Sequence, residues 1–418
     1  MHKTKFKKRI RKAHRVGNNS KTKDMKKQVL FIALVGLFTS LASAADLYVR
    51  DFGSGGAYST VSAAITAASD GDRIIIRPKS GGIPYLENLV VNKSLSFVSE
   101  TNFAKYLIQG TISITPAAGR VITFSNLNLT IGITVTAATT GGRATLNVFN
   151  STLGSDLNAS QANISLYASG NVITGNMYFT HGRITANNCY MIALTSGGTE
   201  SSLATDDVEI IANMSNYSAN AIDLNQRNYN FKVLNNFIPY GYVSVSGVKN
   251  GGSNEIRNNV VNNSNGSTYP IYVSLSSGNT GFISVLNNIL NYSSSTVKVY
   301  NGTSTLASVY AFYNMSSSSF STSGVASQSS NVGSANITVN TSTYTVTGAN
   351  QNAGYPEDDY ADIDLTRNDI GNFGGSHSWA NYWPSTAGNK PQINYLNTPR
   401  RIFVGTSTMN ATGAGHSK

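Results

Sequence analysis

Titratable side chains are scarce in this sequence. Charged residues make up 12% of the 418-residue chain, and seven carboxylates fall between residues 101 and 350: Asp156, Glu200, Asp206, Asp207, Glu209, Asp223 and Glu255. An active site needs titratable groups that converge in a cleft and shift one another's pKa values. The sequence also lacks HExxH, paired CxxC, phosphate-loop and GxSxG motifs, which carry several common enzyme chemistries. This scarcity favours binding over catalysis.

Cysteine is almost absent as well. The single cysteine, Cys189, allows no disulfide within one chain, so stacking and hydrogen bonds must stabilise the fold. Cys189 directly follows Asn188 in a repeated asparagine pattern, where the other repeats have Leu, Val, Met, Phe or Ile. We therefore expect a small, buried, apolar side chain at this position.

Basic residues outnumber acidic ones only at the start of the chain. Residues 1–44 hold 12 of the 31 basic residues and one of the 20 acidic residues, which leaves 19 of each in residues 45–418. A nucleic-acid-binding surface needs excess positive charge on the folded domain. The neutral body therefore predicts no nucleic-acid partner.

Residues 25–44 have the order of a secretory signal peptide. Met25-Lys-Lys precedes an apolar run from Val29 to Leu41, and Ala42-Ser43-Ala44 follows as a cleavage site. The run is too short for a membrane span, which needs about 20 apolar residues. Residues 1–24 form a basic leader, which is either a long first part of the signal or lies upstream of a true start at Met25. We expect a secreted protein, extracellular or on the outer cell surface.

An asparagine followed by an apolar or small residue recurs along most of the chain. Nine such positions from residue 126 to residue 314 have a mean step of about 23.5 residues: Asn126, Asn150, Asn171, Asn188, Asn213, Asn236, Asn259, Asn288 and Asn314. This period is typical of a solenoid, in which each repeat buries its apolar face on its neighbours. Short β-branched runs such as 121–124, 283–286 and 337–339 favour an all-β coil.

The first residues after the signal predict a different element. Residues 46–56 read as a short strand and a glycine-rich turn. Val61, Ala64, Ile65 and Ala68 then recur at helical spacing, which predicts an amphipathic helix over 58–69 that begins at Ser59 or Thr60. Residues 73–77 read as a short strand. A helix at this place would cap the open end of a solenoid.

Two stretches carry a family resemblance. Residues 57–78, AYSTVSAAITAASDGDRIIIRP, and residues 85–95, YLENLVVNKSL, resemble the opening of secreted pectin-lyase-like proteins. The resemblance implies a right-handed parallel β-helix over residues 45–350 with an N-terminal capping α-helix. It does not select an activity, because the same fold hosts lyases, hydrolases, adhesins and inert spacers.

Residues 351–390 form an acidic and aromatic closing segment, and residues 391–418, including 402–404, could form a short β tail. Asp362 and Asp364 alternate in a way that suits a structural calcium ion, and Asp369 is a third candidate ligand. No cofactor is required otherwise. An aromatic cluster near the end of this segment either stacks on sugar rings or plugs the end of the solenoid: Trp379, Tyr382 and Trp383.

One group of charged residues could carry chemistry. Four residues before the asparagine positions, Glu209, Lys232 and Glu255 should be neighbours on one outward column, with the carboxylates roughly 9 to 10 Å apart. Paired carboxylates suit a glycosidase, and with Asp206 and Asp207 a hydrolase or lyase site is conceivable. The same alternation is equally typical of a charge-compensated ladder on a sheet.

We therefore expect a monomeric secreted or cell-surface protein that binds glycans or mediates adhesion without catalysis. Its partner would be an extracellular polysaccharide or a cell-surface glycan, bound through weak, repeated contacts. The alternative function is a polysaccharide lyase or a glycoside hydrolase that acts on an extracellular polysaccharide.

Overall fold

The computed structural model describes residues 44–383, except 197, 264–267 and 277, together with residue 408 and the backbone of residues 392–397 and 412–416. The basic leader and nearly all of the signal peptide lie outside the described residues. The predicted strand at residues 402–404 lies outside them too.

Three long parallel sheets form the body of the protein, because each coil of the chain adds one short strand to each sheet. Sheet A has 13 strands: Asp46–Val49, Arg73–Ile76, Ser96–Ser99, Val121–Ser125, Ala144–Phe149, Ile164–Ser169, His181–Thr185, Val208–Ile211, Phe231–Leu234, Gly252–Arg257, Gly281–Leu286, Ala307–Phe312 and Ser327–Ser329. Sheet B has ten strands: Tyr85–Leu86, Tyr106–Gln109, Leu127–Leu129, Thr152–Leu153, Val172–Ile173, Asn188–Cys189, Met214–Ser215, Phe237–Ile238, Val260–Asn263 and Ile289–Tyr292. Sheet C has 11 strands: Leu89–Val91, Ile112–Ile114, Ile133–Val135, Leu157–Ala159, Met177–Phe179, Ile192–Leu194, Asn220–Asn225, Tyr242–Gly247, Ile271–Val273, Val297–Asn301 and Ser321–Ser323. The protein is a parallel β-helix.

The core fills the inside of the coil, because alternate residues of a strand point to opposite faces of its sheet. Inward residues of all three sheets form one continuous apolar cluster. Residues of the same type stack on successive coils within it: the rings of Phe97 and Phe124 lie 4.7 Å apart and nearly parallel. Core volume therefore grows with each coil, as expected for a solenoid.

A ladder of buried asparagines joins the coils at the corner between sheets A and B. Each side-chain Nδ2 donates to the Oδ1 of the asparagine on the next coil at 2.8 to 3.1 Å. Each Oδ1 also accepts a bond from the backbone N–H of the previous member. The members are Asn171, Asn187, Asn213, Asn236, Asn259, Asn288, Asn314 and Asn331.

The residue before each ladder position adopts the left-handed conformation that turns the corner, with φ near +55° at Asn235, Asn258 and Asn287. In three coils the predicted asparagine therefore lies one residue away from the ladder position. Asn126 and Asn150 are corner residues with positive φ, and Asn188 follows the ladder residue Asn187. Both positions favour asparagine, one for its tolerance of positive φ and the other for its amide.

Cys189 is buried, at 1% exposure, as predicted, and burial raises the pKa of its thiol to about 12. The predicted alignment of Cys189 with the residues that follow the other repeated asparagines is wrong by one residue. Cys189 pairs with Ile173 and Ser215 on the adjacent strands, inside the coil. The column of Met214, Phe237, Val260 and Ile289 belongs to the outer side of sheet B.

Helix α1, Val61–Ala67, lies within the predicted range 58–69 and packs on the first strands of sheets A and C. It is shorter than predicted because Thr60 Oγ1 accepts a bond from Ala63 N and begins the helix. Glu87 accepts two bonds from the N–H groups of the first turn. Lys93 Nζ donates to the carbonyls of Ile65, Thr66 and Ala68 at the other end. Both charges complement the helix dipole.

The chain after the coil folds back along sheet B. An antiparallel hairpin, Ile337–Asn340 with Thr345–Gly348, is followed by 3₁₀ turns at Asp358–Tyr360 and Trp379–Asn381. Further 3₁₀ turns occur at Asp51–Gly56 and Ser80–Gly82. The predicted run 337–339 is thus a strand, but it belongs to this hairpin and not to the parallel coil.

The fold-back segment, residues 335–383, covers the outer side of sheet B. Its Ile337, Val346, Ile370 and Trp379 pack in a second apolar cluster against outward residues of sheet B such as Phe237. Asn235 Nδ2 donates to the carbonyls of 372 and 374, and Asn258 Nδ2 donates to residues 368, 369 and 371. Sheet B is apolar on its outer side over these coils because this segment shields it from water.

The strands Gln392–Asn397 and Thr412–His416 pair antiparallel, which confirms two strands in the predicted tail. None of the helices in the described part of the chain has the length and apolarity that a membrane crossing requires.

Candidate functional site

The outer side of sheet A presents one residue per strand in a charged column. The column runs Asp46, Arg73, Ser96, Thr123, Asn147, Tyr167, Arg183, Glu209, Lys232, Glu255, Ser284, Tyr310 and Ser327. We call this surface the charged face. It confirms that Glu209, Lys232 and Glu255 lie on successive coils. The same offset of four residues before Asn126, Asn150 and Asn188 selects Ile122, Leu146 and Ile184, which lie one residue away from this column and point into the core.

Each carboxylate near the middle of the charged face has a basic partner. Glu209 lies 3.5 Å from Arg183, Asp207 lies 3.1 Å from Lys232, and Glu255 lies 3.2 Å from Arg257. The distances join charged oxygen and nitrogen atoms. The ladder arrangement that the sequence left as one alternative therefore describes these residues.

Burial and neighbouring charges act in opposite directions on these groups. Burial raises the pKa of Glu209, although the charges of Arg183 and Lys232 oppose the change. Burial alone would lower the pKa of Lys232, but its bond to Asp207 and the surrounding carboxylates raise it. Lys232 is thus held as a cation, which is the wrong state for a base.

Asp206, whose side chain is 61% exposed, lies at the edge of a buried polar cluster. Its Oδ1 lies 3.4 Å from Nε2 of His181, whose Nδ1 lies 3.0 Å from Ser165 Oγ. Arg143 Nε donates to the same Ser165 Oγ at 3.0 Å. Ser165 is 5% exposed, so its hydroxyl is packed inside the protein.

Arg143 also forms an ion pair with Glu200, whose side chain is fully buried. Tyr229 Oη donates to the same carboxylate at 2.5 Å, and the Tyr229 ring packs on His181 at 4.5 Å. No sequence pattern indicates this cluster, since its members come from separate coils. It ties the chain at residues 200–206 to the sheet A strands.

The outer side of sheet C has a very different column. It runs Val90, Ser113, Thr134, Asn158, Tyr178, Ala193, Asp223, Ser244, Tyr272, Tyr300 and Ser323. We call this surface, with the adjacent Tyr242 and Tyr269, the tyrosine face. Among its 11 column residues, one is charged. Hydroxyl and amide groups dominate the rest.

Three tyrosines of this face form a stack. The rings of Tyr272 and Tyr300 are nearly parallel with centroids 5.6 Å apart, and Tyr269 lies 4.4 Å from Tyr300. All three are half-buried. At the neighbouring corner, Tyr190 and Tyr217 lie 4.8 Å apart. The repeat pattern in the sequence does not predict this surface, because only the strand register seen in the structure shows that Tyr272 and Tyr300 are neighbours.

The predicted sugar-stacking residues lie in the fold-back segment. Trp379 is 3% exposed and packs against the rings of Phe237 and Tyr344. Trp383 stacks on Trp379 at 5.0 Å, and its Nε1 donates to the Ala212 carbonyl at 2.6 Å. Tyr382 lies beside His377. The cluster covers the flank of the coil at sheet B, and this placement differs from a plug at the end.

The predicted calcium ligands each have a separate role. Asp362 accepts bonds from the backbone of Asp369 and Gly375, and burial raises its pKa to about 6. Asp364 accepts from Thr366, and Asp369 accepts from Asn352 N at 2.6 Å. Within the described residues, no three His, Cys, Asp or Glu side chains are grouped to hold a metal. Structural calcium here stays a prediction.

Comparison with family models, curated proteins and solved structures gives no match to this chain. The fold therefore rests on the strand pairing, and membership of the pectin-lyase-like family stays a prediction.

Proposed function

We propose that this protein is a secreted, pectin-lyase-like β-helix protein that binds an extracellular or cell-surface glycan without cleaving it, and that the glycan lies along the tyrosine face. The observation that carries the proposal is the column of sheet C. It offers phenol, hydroxyl and amide groups at a repeat of about 4.8 Å, the spacing of adjacent strands.

Such a surface suits a polymer of sugars. Tyrosine combines apolar ring area with a hydroxyl that exchanges hydrogen bonds, at little cost in side-chain entropy. An extended glycan parallel to the coil axis meets an equivalent set of groups on each coil. Weak contacts then add through multivalency, and no deep pocket is needed.

The pairing of charges on sheet A supports a role without catalysis. A glycosidase needs one carboxylic acid and one free carboxylate at the bond to be cleaved, and a lyase needs a base able to accept a proton. Glu209 and Glu255 have Arg183 and Arg257 as partners, and Lys232 remains a cation. These groups are arranged as a structural ladder.

The direct test uses residues 45–418 and a panel of neutral, acidic and basic polysaccharides. We expect retention on at least one polysaccharide, with no new reducing or unsaturated ends. Tyr272→Ala should weaken binding about tenfold, in line with the loss of an aromatic contact. The matched control is Tyr310→Ala, at the equivalent outward position of sheet A, and it should leave binding unchanged. Equal losses in both variants would contradict the proposal.

One observation favours the second candidate, cleavage of a polysaccharide on the charged face. Burial raises the pKa of Glu209, as a general acid requires. New chain ends in the same panel, lost in Glu209→Gln or Asp207→Asn, would establish this alternative and overturn the non-catalytic function.

A further inference from the structure

Asp223 is the one charged residue in the outward column of sheet C, and it differs from the carboxylates of the charged face. Its column neighbours are Ala193 and Ser244. Hydrogen bonding with the Ser244 and Asn220 side chains acts to lower the pKa of its carboxyl group. Among the described residues, no Lys, Arg or His forms an ion pair with Asp223.

This isolation has an energetic cost. Asp223 is half-buried, and loss of water around the carboxylate raises its pKa, although the bonds from Ser244 and Asn220 oppose the change. A carboxylate that is partly removed from water is stabilised by a cation, and hydrogen bonds between ionised groups are about twice as strong as neutral ones. A cation in contact with Asp223 would therefore compensate for the water that this carboxylate has lost.

The surroundings of Asp223 suit an organic cation. Tyr242 lies on the adjacent strand, two residues before the Ser244 that pairs with Asp223, and Tyr272 pairs with Ser244 on the strand after that. Aromatic rings attract cations through their electron-rich faces. A carboxylate with phenols and the Ser244 hydroxyl beside it can contact an ammonium group and the neighbouring hydroxyls of one sugar.

We propose that Asp223 binds the ammonium group of an amino sugar, so that the glycan held by the tyrosine face is a polymer with free amines. This inference rests on the proposed glycan-binding function of the same face. Charge complementarity selects the amine, and the hydroxyl and phenol groups on the adjacent coils contact the rest of the sugar chain. Because the column has one carboxylate, one amine in each bound stretch is sufficient.

The test compares a β-1,4-linked glucosamine oligomer with its fully N-acetylated counterpart, using residues 45–418 and isothermal titration calorimetry. Acetylation removes the charge and keeps the sugar backbone. We expect the amine oligomer to bind at least about tenfold more tightly. Added salt should reduce this preference, because the contact is ionic.

Two variants locate the effect. Asp223→Asn removes the charge with little change in shape, and Ser244→Lys supplies an internal cation on the adjacent strand. Both should abolish the preference for the amine oligomer over the acetylated one, and this ratio is compared within each variant. Melting by circular dichroism confirms that each variant is folded. Two variants of opposite chemistry with one expected result separate charge recognition from damage to the fold.

Each contrary result has its own meaning. Equal binding of both oligomers, unaffected by Asp223→Asn, would overturn the amine inference and leave the glycan-binding function in place. Binding of neither oligomer, together with no retention on the wider polysaccharide panel, would contradict the glycan-binding function itself. Equally tight binding of a lysine oligomer would also overturn the inference, because the site would then recognise cationic chains without selecting sugars.

Discussion

The charged face and the tyrosine face occupy equivalent outward positions on the same coils, yet they treat charge in opposite ways. On sheet A, Glu209, Asp207 and Glu255 each have a cationic partner on the same or an adjacent coil. On sheet C, Asp223 lies between Ala193 and Ser244 and has no ion pair in the described structure. A paired ladder stabilises its own sheet, whereas an unpaired carboxylate among tyrosines gains most from a ligand. In this account the same scaffold carries a structural surface and a proposed binding surface, and the outward residues make the difference between them.

Sheet B is the third face of the coil, and the fold-back segment covers its outer side. We expect the largest loss of stability from a substitution at this face. Trp379→Ala removes a buried ring from the second apolar cluster, and we expect a loss of about 3 to 5 kcal/mol in unfolding free energy. Glycan binding to the folded protein should not change, because Trp379 contacts sheet B. The control is Trp383→Phe, which loses the bond to Ala212 and should cost about 1 kcal/mol. Urea unfolding measures both, and equal losses would contradict the assignment.

The asparagine ladder sets the register that both faces share. Asn187→Ala deprives the Asn171 amide of its acceptor and the Ala168 carbonyl of a donor. We expect a loss of about 3 kcal/mol, since unsatisfied buried polar groups cost about 1 to 3 kcal/mol each.

Asn188→Ala is the matched control, because Asn188 bonds only to the half-buried Asn216 among the contacts described. Its loss should be below about 1 kcal/mol in the same urea unfolding experiment. A larger loss for Asn188→Ala than for Asn187→Ala would show that the ladder runs through the asparagine that the repeat pattern selects.

A smaller effect should appear in the pH dependence of the charged side of the coil. Burial lowers the pKa of His181 below its ordinary 6.5, the charge of Arg143 adds to this, and Asp206 and Glu200 oppose it. The folded state therefore holds His181 neutral. Its contribution to stability is complete above pH 6.5 and declines below it, as the unfolded chain takes up the proton first. Thermal melting from pH 7.5 to 5 should show a shallower decline in His181→Gln.

Glu209 provides a control of opposite sign. Burial raises its pKa, so its contribution to stability is complete below its ordinary value of 4.5 and is lost as the pH rises through the folded pKa. Glu209→Gln should therefore gain stability relative to the parent as the pH rises. If the melting temperatures of His181→Gln and Glu209→Gln changed with pH in the same way, the environments assigned to His181 and Glu209 would be wrong.

The sequence was sufficient to predict the fold, because the repeat period and the helix signals near Thr60 depend on local patterns. It could not fix the register. Asparagine occupies both the corner and the ladder position at 235–236, 258–259 and 287–288, so the pattern alone cannot tell which residue turns and which one stacks. The coil at Ala186-Asn187-Asn188 shifts the pair by one residue and misleads the alignment.

The charged column was predictable near its centre, where the asparagine alignment is correct, and wrong at Ile184, where it is not. The tyrosine face was not predictable, because coils of different length separate Asp223, Ser244, Tyr272 and Tyr300 in sequence. The burial of the outward apolar residues of sheet B could not be predicted for another reason. Met214 and Phe237 are buried by a segment more than 100 residues later in the chain, and no local pattern reports such a contact.

The most direct measurement of the central claim is hydroxyl-radical footprinting of residues 45–418, with and without a polysaccharide that the protein retains. Oxidation of each tyrosine, read by mass spectrometry, reports which surface the glycan covers. The account predicts protection of Tyr242, Tyr272 and Tyr300, with no change at Tyr167 and Tyr310 on the charged face. Protection of Tyr167 and Tyr310, with Tyr272 and Tyr300 unchanged, would place the glycan on sheet A and contradict the account.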